Sequence, residues 1–223
     1  MESNNRNYRG LHVRVKTAKG RKTSSKLWLE RQLNDPYVSK AKAEGYRSRA
    51  AYKLIEINEK FKFLKNDMTV VDLGAAPGGW LQVLTKNIKQ GNIIGLDLLA
   101  IEPISGVTTI QCDFTSDEGI ALLVEQLNGK KVDLVLSDMA PSSCGHSSTD
   151  HIRIMHMCEI AFDFAKDHLK PGGNFISKVL KGGTEKILLE DLKKSFKTVK
   201  HCKPNASRKE SSEMYVVAMD FRA

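Results

Sequence analysis

Val70–Gln82 reads VVDLGAAPGGWLQ, and this stretch decides the fold. An apolar run stops at Asp72, a turn carrying Gly74, Gly78 and Gly79 follows, and a helix opens near Trp80. Glycines let a backbone come close to a ligand because no Cβ intervenes. Pro77 sets the bend and offers no N–H. The spacing is not G-x-G-x-x-G, because residue 76 is Ala, and no Lys-Ser/Thr pair follows the last glycine as it would in a P-loop. That speaks against a nucleoside triphosphate. On these residues alone a nicotinamide cofactor stays open, although the glycine spacing is wrong for it.

Outward from the turn, strands and helices alternate. TVVDLG, NIIGLDLL, GVTTIQCDF, KVDLVLSDMAP and NFISKVL read as strands. Trp80–Ile88, Asp117–Leu127, His151–His168 and Glu185–Phe196 read as helices, the third stopped by Pro-Gly-Gly. KTVKHCKP and EMYVVAMDF close the chain as a hairpin-like pair around a basic loop. Such alternation predicts an α/β fold with a doubly wound, mostly parallel sheet covered on both faces. Ligands then sit at the carboxyl ends of the strands, near the topological switch point. Asp97 ends the second strand, where such folds place a carboxylate for ribose hydroxyls. Asp113 ends the third, where a carboxylate can accept from an exocyclic amine.

At 223 residues and 41% hydrophobic content, the chain suits one large domain, or one domain with an arm. Cys112, Cys144, Cys158 and Cys202 are scattered without a C-x-x-C pair, which argues against a zinc site or a disulfide framework and for a reducing compartment. No metal is expected. No apolar run reaches the roughly 18 residues of a membrane span, and the basic start lacks the apolar stretch of a secretory signal. The expected location is the cytoplasm, with an organelle transit peptide as the alternative, and the expected state is a monomer.

The charge is unevenly placed. The chain carries +9, and all of that excess falls in residues 1–60, which hold 15 Lys and Arg against 6 Asp and Glu. Trp28, Tyr37, Tyr46 and Tyr52 interleave with these charges. A basic, aromatic-bearing arm on a neutral domain points to a phosphate backbone as partner. The domain reading is a basic arm over 1–35 and a catalytic domain over 36–223. Within the first 60 residues the lead, 1–23, reads as disordered. SSKLWLERQLN reads as a short helix capped by Ser24 or Ser25, DPY breaks it, and a further helix is interrupted at Gly45 and resumes near Ser48.

From pattern alone, Lys53 reads as a surface lysine about 100° from the apolar neighbours Tyr52 and Leu54. Lys178 and Glu213 read as ordinary strand-end residues. Asp138 differs: a carboxylate after VDLVLS, at the end of a parallel strand, points to a site by position. His151 and His156 are five apart and share no face, and no histidine spacing supports a triad or a metal centre.

Together VDLGAAPGGW, GLDLL, DF and SDMAPSSCG resemble class I S-adenosylmethionine-dependent methyltransferases, and more narrowly the FtsJ-like RNA ribose 2′-O-methyltransferases. The resemblance runs from about Ser24 to Phe221. It implies a Rossmann-like seven-stranded sheet with an antiparallel C-terminal strand. It implies a catalytic set of Lys53, Asp138, Lys178 and Glu213, and cofactor contacts from Gly78, Trp80, Asp97, Asp113 and Asp138. It also implies S-adenosylmethionine as cofactor. The Trp-bearing helix, the DPY break and YRSRA resemble the bacterial type that methylates 23S ribosomal RNA, at an A-loop uridine in the assembled large subunit. A transfer RNA methyltransferase and a non-catalytic RNA-binding assembly factor are the alternatives.

Overall fold

The computed structural model describes residue 20 and residues 23–141, 145–181 and 185–222. The expected disordered lead lies almost wholly outside the described residues, as do Ser142, Ser143 and the side chains of Ser24 and Trp28.

Three short helices open the described chain: α1 (Thr23–Leu33), α2 (Pro36–Ala43) and α3 (Ala51–Phe61). The first begins at Thr23, so Ser24 and Ser25 lie inside its opening turn and not at its cap. The DPY break is also a start signal. Asp35 accepts from the Tyr37 N–H at 3.0 Å, and Pro36 takes the first helical position, where its missing N–H costs nothing. The left-handed Gly45 (φ 74) then turns the chain toward α3.

Alternation follows as β1 (Thr69–Leu73), α4 (Gly79–Asn87), β2 (Asn92–Asp97), β3 (Val107–Gln111), α5 (Asp117–Leu127), β4 (Val132–Ser137) and α6 (Ser147–His168). The last elements are β5 (Leu169–Leu180), α7 (Glu185–Ser195), β6 (Phe196–Cys202) and β7 (Glu213–Phe221). α5 starts where the Ser116 hydroxyl accepts from the Gly119 N–H and two acids occupy the positive first turn. α6 begins four residues earlier than the pattern suggested. It ends at His168, and Pro171, Gly172 and Gly173 lie in the opening of β5, where the pairing with β4 shifts register between Val132–Leu169 and Leu134–Asn174.

The seven strands form one sheet in the order β3-β2-β1-β4-β5-β7-β6, with β7 antiparallel to both neighbours. The expected doubly wound sheet with an antiparallel C-terminal strand is therefore present. Its strands are apolar on both sides because both faces are covered. Val71, Leu73 and Val135 pack under α5, α6 and α7 with Leu123, Phe162 and Leu192. Val70, Leu134 and Leu136 pack under α3 and α4 with Leu54, Ile57, Trp80 and Leu81. Leu54 and Ile57 are fully buried, each worth roughly 1.5–3 kcal/mol over exposure.

The order reverses between β1 and β4, and that is where the glycine turn lies. Gly74 and Ala75 both donate to the Leu96 carbonyl, while Asp138 N–H donates to Leu73 O, so the ends of β1, β2 and β4 are laced together. Gly74 is left-handed (φ 77), and a Cβ there would lie 2.8–2.9 Å from Met139 Cγ, Cα and N. Gly74→Ala meets both a strained dihedral and a backbone clash, and should cost about 2–4 kcal/mol. Urea unfolding checks this, and an unchanged midpoint would mean the turn relaxes freely.

Candidate active site

The ends of β4, β5 and β7, with the first turn of α3, converge on a cluster of four charges. Lys178 Nζ lies 2.8 Å from Asp138 Oδ1 and 3.7 Å from Glu213 Oε2. Lys53 Nζ lies 2.9 Å from Glu213 Oε1 and 3.7 Å from Asp138 Oδ2. Each lysine thus meets both carboxylates, and the set is neutral. Lys178 also donates to the Asp138 carbonyl at 2.8 Å. Pattern alone made Lys53 and Lys178 surface residues; both are buried, 7% and 8% exposed. Burial is tolerable because each ammonium has two anionic partners.

The electrostatics follow from that pairing. Burial would pull the Lys178 ammonium down, but Asp138 and Glu213 outweigh it and hold Lys178 above the ordinary lysine value. Burial would push Asp138 up, yet Lys178, Lys53 and the Tyr215 hydroxyl bring it down to about 2. Tyr215 was not singled out in the sequence. It is fully buried, donates to Asp138 Oδ1 at 2.5 Å, and its ring lies 5.7 Å from Lys53 Nζ. Only its place two residues after Glu213, on the same face of β7, could have marked it.

One residue past Asp138, Met139 lines a cavity of about 350 Å³ at the ends of β1, β2 and β3. Asp97, Asp113, Gly74, Leu98 and Phe114 share its wall. Asp97 accepts from the Ala76 N–H through one oxygen and from the Leu99 N–H through the other, both at 2.9 Å, which leaves a lone pair on each oxygen. Asp113 is held down from the ordinary value by the Thr115 hydroxyl and N–H. Gly78 (φ 105) caps α4 and Trp80 stands in its first turn, but neither lines this cavity. The Trp80 indole is 3% exposed and donates to the Ala50 carbonyl at 2.8 Å. Arg47 donates to the carbonyls of Pro77, Glu102 and Pro103, so one guanidinium ties the glycine turn to the loop beyond Asp97.

Lys53 and Glu213 themselves line a second cavity of about 680 Å³, together with Arg31, Arg49, Arg208, Glu210 and Ser211. The buried charge cluster thus opens, through Lys53 and Glu213, onto a cavity rich in arginine. Among the described residues no cluster of three metal-ligating side chains occurs, and no helix is long and apolar enough to cross a membrane.

A family model described as FtsJ-like methyltransferase matches residues 46–221. The chain belongs to the FtsJ-like methyltransferase family. It is 56% identical to the ribosomal RNA large subunit methyltransferase E of Rickettsia bellii, over 99% of each chain. It is 58% identical to the protein of that name from Novosphingobium aromaticivorans, over 95% of each. Among solved structures, a Plasmodium falciparum protein described as a ribosomal RNA methyltransferase superposes with a TM-score of 0.71 at 36% identity, covering 79% of this chain and 98% of that one.

Asp72, beneath the site on β1, is wholly buried with neither carboxyl oxygen hydrogen-bonded. Burial, with Asp138 and Asp97 nearby, pushes it well above the ordinary carboxylate value. A raised folded-state value favours folding at low pH and is a penalty that grows as pH rises toward it. Asp72→Asn, which cannot ionise, should match the parent in stability near about pH 4 and exceed it increasingly toward about pH 7. Urea midpoints across that range measure the gap, and a pH-independent gap would contradict the buried, unpaired state.

Proposed function

We propose that this chain transfers a methyl group from S-adenosylmethionine to a ribose 2′-hydroxyl of large-subunit (23S) ribosomal RNA, at an A-loop uridine in the assembled subunit. The observation that carries the reading is the neutral Lys53–Asp138–Lys178–Glu213 cluster, one residue from a cavity of cofactor size. The relatives' names support the RNA class; the uridine rests on the resemblance of the N-terminal segment.

The cavity fits the cofactor chemically. Asp97, with a lone pair free on each oxygen, would hold a vicinal diol, and Asp113 would accept from the adenine amine. Leu98, Phe114 and Met139 give the ring an apolar slot. Gly78, Trp80 and Asp138 are the further residues that the resemblance implies would hold the cofactor. When bound, S-adenosylmethionine supplies a methyl already activated by its sulfonium.

The protein's task is to hold the 2′-oxygen in line and manage one proton. Lys178 is raised and therefore an ammonium at neutral pH, so it is a donor to the 2′-oxygen before it is a base. It orients the hydroxyl and offsets the negative charge that develops on the 2′-oxygen as its proton passes to water during the transfer, while the new C–O bond forms and the sulfonium C–S bond breaks to release the thioether. Asp138 and Glu213 hold the two ammonium groups in register.

Lys178→Ala should bind S-adenosylmethionine normally in calorimetry, while single-turnover methylation of large subunits from a strain lacking the gene falls at least ~100-fold. Mapping the methylated nucleotide in that strain tests the RNA class. A transfer RNA position, or none, would replace the reading by one of its alternatives.

The basic arm is proposed to grip the RNA backbone. Asp35 belongs to the fold, since it is 8% exposed and pairs with Arg49 at 2.8 Å. The removable segment is therefore 1–22, with seven Lys and Arg against Glu2 alone. If about four of these meet phosphates, its deletion should flatten the slope of log affinity against log salt by about 3 units. Cofactor affinity should stay unchanged. An unaltered slope would make the arm irrelevant to RNA.

A further inference from the structure

The segment between β6 and β7 brings a hydroxyl to the charge cluster. Ser207, 3% exposed, donates to Glu213 Oε1 at 2.7 Å. Its neighbour Ala206, fully buried, is pinned through both backbone groups: its N–H donates to Glu56 Oε2 at 3.0 Å and its carbonyl accepts from Arg49 Nη2 at 2.6 Å. Glu56 on α3 is fixed in turn by the Tyr37 hydroxyl of α2 at 2.8 Å, and Arg49 by Asp35. An acid and a base from outside the loop thus aim one serine at one carboxylate.

We propose that Ser207 is a positioning residue for methyl transfer, setting the Glu213 carboxylate so that it faces Lys53 and Lys178. The proposal rests on the function given above. Glu213 Oε1 lies between Ser207 and Lys53, and its Oε2 between Lys53 and Lys178. Without the hydroxyl, Oε1 loses a neutral donor that fixes the side chain and leaves the charge balance of the cluster untouched. A cationic donor in its place would tip two-against-two into an excess. With the carboxylate free to swing, Lys53 loses its closest partner and Lys178 a second one, so both ammonium groups lose their register.

The test uses the full chain with S-adenosylmethionine and unmodified large subunits. Ser207→Ala should slow single-turnover transfer about tenfold, the size of one charge-assisted hydrogen bond, with KM for both substrates and Tm little changed. Ser207→Thr, which keeps the hydroxyl, should recover most of the rate. In a Glu213→Gln background, Ser207→Ala should add less than about twofold, because coupled residues are not additive. A normal rate, an equal loss in both backgrounds, or a loss carried by KM or Tm would each overturn the proposal. If the parent itself transfers nothing to these particles, the proposed function fails instead. Crystal structures of the parent and Ser207→Ala then decide this point without RNA, and an unmoved Glu213 carboxylate overturns it.

Discussion

Two buried ammonium groups cannot persist in this fold without two carboxylates, and most of the architecture follows from meeting that condition. Lys53 comes from a helix before the sheet, Asp138 from the end of β4, Lys178 from β5 and Glu213 from the start of β7. Removing any one leaves an uncompensated buried charge, which costs far more than a surface pair gains. All four segments must therefore be in register at once. The Lys178–Tyr215 pairing of β5 with β7 sets one side of the cluster, and the Leu136–Asp72 pairing of β4 with β1 sets the other.

The reversed strand β7 has a consequence for the site. Running antiparallel between β5 and β6, it presents its first residues, Glu213 and Tyr215, at the edge where the parallel strands present their last. Carboxyl ends of β4 and β5 thus meet the amino end of β7, and a hydroxyl and a carboxylate enter a place that parallel strands alone would fill from one direction. Tyr215 then serves two layers: its ring packs 5.8 Å from that of Trp80, and its hydroxyl reaches Asp138. Core packing and site geometry share one side chain.

Elements built from local signals were legible in the sequence. The helix over Asp117–Leu127 has its capping serine and acidic first turn, and the strands have continuous apolar runs between turn residues. Lys53 and Lys178 were not legible from pattern. A lysine between Tyr52 and Leu54 is ordinarily solvated, and what reverses that is a glutamate 160 positions away. Family resemblance supplied them; periodicity could not. Trp80 shows the converse. The motif names it, yet its indole N–H is spent on the Ala50 carbonyl and its ring packs against that of Tyr215. Asp72 was read simply as the end of a strand, because nothing in VVDLG reveals that its carboxyl group lacks a partner.

Residue 35, where the arm was read to end, is itself tied into the fold. Charge patterning sees cations and cannot see which of them is answered. Asp35 caps α2, pairs with Arg49 and lies 3.7 Å from Arg208, so one acid joins the end of the basic segment to the loop that carries Ser207. Tyr37 and Glu56 make a second tie between the same partners. The helices that follow the arm therefore buttress the Glu213 carboxylate. A contact that displaced α2 would act on Glu213 through bonds of 2.6–3.0 Å, with no need for a moving domain.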